Sequence, residues 1–265
     1  LLGEARGGTS VLGTSVLGTS IVNTTPIKDN NFTKNNTGVT NWNGYYSLIL
    51  QVNIFIDNVE NGCSFLTTSE RNYFLGQAYG LRAYYYFTLY KIYGGVPIVD
   101  KAEVVGGATN AKDLYKKRAT PKETLDFVKS DIGKSESFFE SEVLSKAPKS
   151  LWSKAATLML KGEIYLWSAK VANQDQIPGE EDIQIAKNAV SQLIGKFTLM
   201  PGLKDVFDCS KKVNDEIIFK FRFMEGEATN WVYDFVSPGT LFVNQVYSNI
   251  GVLTGFTLKS KNTGL

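Results

Sequence analysis

Residues 78–99 read Ala-Tyr-Gly-Leu-Arg-Ala-Tyr-Tyr-Tyr-Phe-Thr-Leu-Tyr-Lys-Ile-Tyr-Gly-Gly-Val-Pro-Ile-Val. Together with the residues just before it, this run predicts a long helix. Phe74, Ala78, Leu81, Tyr85, Leu89 and Ile92 recur three or four positions apart, the repeat of one buried helical face. Thr67 and Glu70 have the spacing of a capping box, in which each side chain satisfies an orphan backbone donor near the other. Gly94-Gly95 followed by Pro97 ends the helix, because proline brings no N–H to continue it. Within it, Tyr84 to Phe87 sweep roughly 300° at about 100° per residue. Those four rings cannot all face one core, so some meet a second helix, a partner or solvent.

Working outward, the same period appears on both sides. Tyr45, Leu48, Ile49, Val52, Phe55, Ile56 and Val59 form one face, closed by Asn61-Gly62. Thr120, Pro121 and Glu123 mark a third helix start, with Leu125, Val128, Ile132 and Phe139 as its stripe. A fourth helix is expected from about 153 to 171, with Ala155, Leu158, Met159, Gly162, Tyr165, Leu166 and Ala169 in register. A fifth follows Pro178-Gly179. There Glu180, Glu181 and Asp182 complement the positive helix end, and Ala186, Val190, Leu193 and Phe197 form the stripe. Beyond Pro201-Gly202, Ile217, Phe219, Phe221 and Phe223 alternate with other residues and predict a strand. Leu75-Gly76 followed by Tyr79 matches part of a tetratricopeptide signature, with Asn72 where Trp is usual.

The expected fold is therefore mainly α: a tetratricopeptide-like αα-hairpin scaffold with irregular loop-rich segments and little β. Residues 1–40 form a loop-rich N-terminal segment, 41–223 the helical scaffold, and 224–265 the start of an irregular region. The pentad Gly-Thr-Ser-Val-Leu at 8–12 and 13–17 and the Asn- and Thr-dense stretch 23–43 support the loop reading of the N-terminal part.

Composition removes whole classes of function. The 265 residues contain no histidine, so no Ser-His-Asp or Cys-His nucleophile system and no histidine-ligated metal site can be built. A net charge of +2 gives no electrostatic reason to expect nucleic acid, and Lys112, Lys116, Lys117 and Arg118 read as a solvated turn. Cys63 and Cys209 are either one long-range disulfide or two thiols. No phosphate-binding loop, dinucleotide fingerprint or nucleophile elbow is present, so neither an enzyme nor a cofactor is expected. No run of residues has the length and apolarity of a spanning helix.

What remains is binding. Trp42, flanked by Asn41 and Asn43 and one turn before Tyr46, combines an aromatic plate with carboxamides, which suits a sugar ring and its hydroxyls. The alternative is Trp42 as a hydrophobic staple for the helix that follows. Asn230, Trp231 and Tyr233 form a second cluster of the same composition.

The quoted helix closely resembles the signature helix of the SusD/RagB family of Bacteroidetes outer-membrane nutrient-binding lipoproteins: Arg-Ala, a Tyr/Phe run, then Tyr-Gly-x-Val-Pro. Looser resemblances follow in the family's order. They are Trp42-x-x-Tyr45 with Ile49 and Asn53, Arg118 with Thr120-Pro-Lys-Glu123 and Asp131-Ile132, Ser153-Lys-Ala-Ala156 with Lys161–Leu166, and 197–219. The resemblance implies a surface protein that captures oligosaccharides and delivers them to a SusC-type TonB-dependent transporter, without chemistry and without a cofactor. It also implies an N-terminal lipid anchor, which is not in this chain, at the extracellular face of the outer membrane. The alternatives are an oligopeptide-binding, RagB-like member, or a helical interaction scaffold that binds no ligand. The chain is short for the family and starts without Met or an apolar leader, so further C-terminal sequence and an upstream segment are expected.

Overall fold

A computed structural model of the chain describes residues 10–12, 33, 35, 41–107, 110–140, 144, 148–207, 214–222 and 256–258. It divides into two compact units, one of residues 42–221 and one joining 1–41 with 222–265. In the second unit, strand β1 (Ser10–Leu12) pairs antiparallel with β2 (Phe256–Leu258), Ser10 opposite Leu258. The first unit is helical: α1 (Asn43–Asp57), α2 (Thr68–Tyr93), α3 (Pro121–Phe138), α4 (Lys154–Lys170), α5 (Glu181–Ser191) and α6 (Leu203–Phe207). Helix α2 packs on α1 and α3, and α4 packs on α3 and α5, as successive hairpins. This is the mainly helical architecture expected of the sequence.

Local chemistry sets the helix starts. Thr67 Oγ1 accepts from the Glu70 N–H, and Glu70 Oε2 accepts from the Thr67 N–H at 2.9 Å, the capping box expected. Thr120 and Glu123 repeat it at α3, where Pro121 needs no N–H partner. The Asp175 carboxylate accepts a further α3 donor, the Lys122 N–H, at 3.0 Å. Ser153 caps α4. Helix α2 stops at Gly94, whose φ of 72° strains any residue with a Cβ. Helix α1 ends in a wider π turn, Asn58–Gly62, braced by the Arg71 guanidinium on the carbonyls of Val59, Glu60 and Cys63.

The core is aromatic. Tyr86, Phe87, Tyr90 and Phe139 are fully buried, with Ile49, Leu125, Ile132 and Ile164 around them. Helix α2 lies so close to the Trp152 indole that a Cβ at Gly80 would collide with Nε1. Of the four consecutive rings, Tyr86 and Phe87 point inward, while Tyr84 and Tyr85 are half-buried. Tyr84 meets Trp152 and Phe221 from a different part of the chain.

Three expectations need correction. Residues 217–222 form no strand; the Lys220 N–H bonds the Lys149 carbonyl, and Phe219 and Phe221 pack on Trp152 and Tyr84. With no neighbouring strand among the described residues, aromatic packing decides that segment, while Phe223 lies outside them. Met159 and Leu166 face solvent, because Leu160 and Ile164 hold the inward side of α4. The buried part of α2 is wider than the expected stripe and partly shifted from it: Ala78 and Leu89 are buried as expected, Leu75, Tyr79, Arg82, Tyr86, Phe87 and Tyr90 are buried too, and Phe74, Leu81, Tyr85 and Ile92 are intermediate. A helix flanked by α1, α3 and α4 is covered on several faces, which a single stripe cannot express. Cys63 is a free, half-buried thiol, and Cys209 lies outside the described residues. No helix among the described residues is long and apolar enough to cross a membrane.

Candidate functional site

The polar centre of the helical unit is Arg82, in the middle of α2 and 3% exposed. A buried guanidinium must have partners for all its donors. Nε and Nη2 donate to Asp131 Oδ2 and Oδ1 at 2.7 and 2.9 Å, and Nη1 donates to Asn53 Oδ1 at 2.8 Å and the Asp100 carbonyl at 3.0 Å. Asn53 Nδ2 in turn donates to the Val99 carbonyl at 2.9 Å, and the Val99 N–H donates to the Tyr86 hydroxyl at 2.7 Å. One network thus ties α1, α2, α3 and the loop after α2. Burial pushes the Asp131 carboxyl up, against the pull of Arg82. Burial likewise opposes charge on Arg82, but the bonds and charge of Asp131 prevail and hold the guanidinium above its ordinary value. With both carboxylate oxygens accepting from one guanidinium, the pair is ionic and bidentate.

Above this network lies a cleft of about 510 Å3. Its floor is Arg82 and Tyr79, and the guanidinium carbon lies 5.0 Å from the Tyr79 ring centre. Asp57, Glu60 and Asn61 form one wall, and Lys134 and Lys101 stand on others. The Tyr79 hydroxyl donates to Glu60 Oε1 at 2.9 Å; burial and this carboxylate push the phenol up to about 12. Among the described residues no group of His, Cys, Asp or Glu is arranged to hold a metal ion. Asn53, Arg82 and Asp131 each stand in a stretch that resembles the family, but nothing in the sequence says that they meet. The available signal was Asp131 beside Val128 and Ile132 on the apolar stripe of α3, and Arg82 inside a run of aromatic residues.

A second cleft of about 510 Å3 lies on the other side of the α1–α2 pair and is apolar, lined by Leu48, Val52, Phe55, Phe74, Leu81 and Tyr85.

The sequence-predicted binding residues fall elsewhere. Trp42 is the N-cap residue of α1, is half-buried, and makes no side-chain cap bond. The edges of Tyr46 and Tyr93 meet its ring at 6.1 and 5.3 Å, and the Arg118 guanidinium carbon lies 5.8 Å from its centre. Arg118 itself donates to the Gly95 and Tyr93 carbonyls, so this corner is tied to the end of α2. The Tyr46 hydroxyl donates to the Pro97 carbonyl at 2.6 Å, and burial pushes it up. Asn41 and Asn43 flank Trp42 and are exposed. Asn230, Trp231 and Tyr233 lie outside the described residues.

Comparison with known proteins gives these features a context. Residues 8–166 match a SusD-like family described as starch-binding and associating with the outer membrane. The SusD-like protein P38 of Formosa agariphila is 29% identical over 216 residues, covering 80% of this chain and 38% of that protein. A SusD superfamily crystal structure from Bacteroides fragilis is 38% identical with a TM-score of 0.75, over 89% of this chain and 47% of that one. Another, from Bacteroides vulgatus, is 29% identical with a TM-score of 0.73, over 97% of this chain and 54% of that one. The chain thus spans about half, or less, of the length of these relatives. A family match across more than half of the residues, together with a 38% identical SusD superfamily structure over 89% of the chain, settles the assignment: this chain belongs to the SusD-like family.

Proposed function

We propose that this chain is the helical part of a cell-surface nutrient-binding protein that captures oligosaccharides and passes them to a SusC-type TonB-dependent transporter. The observation that carries this reading is the match of residues 8–166 to a family described as starch-binding and associating with the outer membrane. The protein would be lipid-anchored at the extracellular face of the outer membrane and would bind its ligand without cleaving it. Ligand contacts are assigned to Asn41, Trp42, Asn43 and Tyr46, and to Asn230, Trp231 and Tyr233. In this reading Trp42 offers a sugar whatever part of its ring is not enclosed by Tyr46, Tyr93 and Arg118. The exposed carboxamides of Asn41 and Asn43 supply both donors and acceptors for hydroxyl groups.

Isothermal titration against starch, xylan, host-glycan and peptide panels tests it. Saturable glycan binding that is lost in Trp42→Ala, with the circular dichroism spectrum unchanged, is the expected result. Tight peptide binding without any glycan response overturns the oligosaccharide reading. Co-purification of a large β-barrel protein tests the transporter partnership.

A further inference from the structure

The polar cleft over Tyr79 has a property that the family match does not assign. Two of its charged groups are already neutralised: Arg82 by Asp131 at 2.7 Å, and Glu103 by Lys116 at 2.6 Å. The ion pairs among the described residues leave out Asp57, Glu60, Asp100, Lys101 and Lys134. These residues line one concave space without pairing with each other, and Asp57 Oδ1 accepts from Asn61 Nδ2 at 2.9 Å. The buried Tyr79 ring separates them: its hydroxyl is held by Glu60 at 2.9 Å, and Lys134 Nζ lies 4.9 Å from its centre. The π turn at the end of α1, braced by Arg71, fixes the backbone that carries Glu60.

Opposite charges held on different walls of one cleft attract a molecule that carries both signs. A simple cation or anion gains at one wall and is repelled at the other, and a neutral sugar meets no charge complement. We propose that this cleft binds a small zwitterion of amino-acid to dipeptide size, its ammonium toward Asp57 and Glu60 and its carboxylate toward Lys134. The volume of about 510 Å3 lies within the usual range for small-ligand sites. The site is separate from the Trp42 corner and does not rest on the oligosaccharide reading.

Titration calorimetry of the whole chain with alanyl-alanine tests the proposal, with the N-acetylated, C-amidated dipeptide as the uncharged control. Saturable binding of the free dipeptide is expected, weakened at least about tenfold in both Lys134→Met and Glu60→Gln. The blocked dipeptide should give no saturable heat. Both side chains are exposed, so both variants should retain the wild-type circular dichroism spectrum. The proposal is overturned by the absence of binding at millimolar dipeptide, by equal binding of the blocked form, or by wild-type affinity in both variants. None of those results bears on glycan binding, which is read separately with polysaccharides and Trp42→Ala.

Discussion

Two clefts of about 510 Å3 share the same two helices and have opposite chemistry. On α1 the apolar cleft takes Leu48, Val52 and Phe55, while the polar one takes Asn53, Ile56 and Asp57. On α2 the division falls between Phe74, Leu81 and Tyr85 on one side and Tyr79 and Arg82 on the other. At about 100° per residue, the two sets lie about a third of a turn apart on each helix. The polar cleft rests on a buried, saturated hydrogen-bond network that reaches into α3. The apolar cleft is lined partly by side chains that still meet water, with Leu48 at 40% and Phe55 at 43% exposure. Equal volume therefore conceals unequal sensitivity: breaking one partner on the polar side strands a buried charge, while trimming a half-exposed ring on the apolar side strands nothing.

Substitutions separate these roles. Asp131→Ala strands a buried guanidinium and should cost about 3–5 kcal/mol, read as a fall in the urea midpoint. The double variant Arg82→Met/Asp131→Leu should recover much of that loss, since it leaves no unpaired charge. A single variant as stable as wild type would remove the contrast between the clefts. Asn53→Ala leaves Arg82 Nη1 with only the Asp100 carbonyl and the Val99 carbonyl with only the Tyr86 hydroxyl as donor; about 1–3 kcal/mol is expected. On the other side, Phe55→Ser should cost about 1–2 kcal/mol, because the ring is already 43% exposed. A larger loss would show that the apolar cleft is core and not surface.

The smallest effect concerns the start of α2, which serves both clefts. The Thr67 hydroxyl and backbone N–H hold the Glu70 carboxyl below its ordinary value of 4.5. A carboxylate with a lowered folded value stabilises the fold fully above the ordinary range and loses that contribution as pH falls through the lowered value. Wild type and Glu70→Gln should therefore differ in thermal midpoint at neutral pH and converge in acid. A difference that persists unchanged to low pH would detach the cap from the ionised carboxylate.

The helix starts were legible because they are local: Thr67 with Glu70, Thr120 with Pro121 and Glu123, and Ser153 each act within one turn. The α3 stripe was legible too, and Leu125, Val128, Ile132 and Phe139 are all buried. Faces were harder. Met159 and Leu166 satisfy the helical period as well as Leu160 and Ile164 do, and only the position of α4 between α3 and α5 selects the inward set. The alternation at 217–223 predicted a strand, but a strand exists only where another is present to pair with it. Of the candidate site, the sequence shows Trp42 as an aromatic plate between two carboxamides, whereas its enclosure by Tyr93 and Arg118 joins residues 51 and 76 positions away.

The sequence by itself determined the mainly helical fold, the helix boundaries with their caps, and the SusD-like resemblance, because all three are written in short-range order. The absence of histidine, read from composition alone, also excludes imidazole chemistry by these 265 residues. Only the tertiary structure decided that Arg82 and Asp131, 49 positions apart, would meet without water and place a charged cleft above them. The physical reason is that pairing and burial belong to the packing of three helices, and no local pattern in any one of them specifies which face the others will cover.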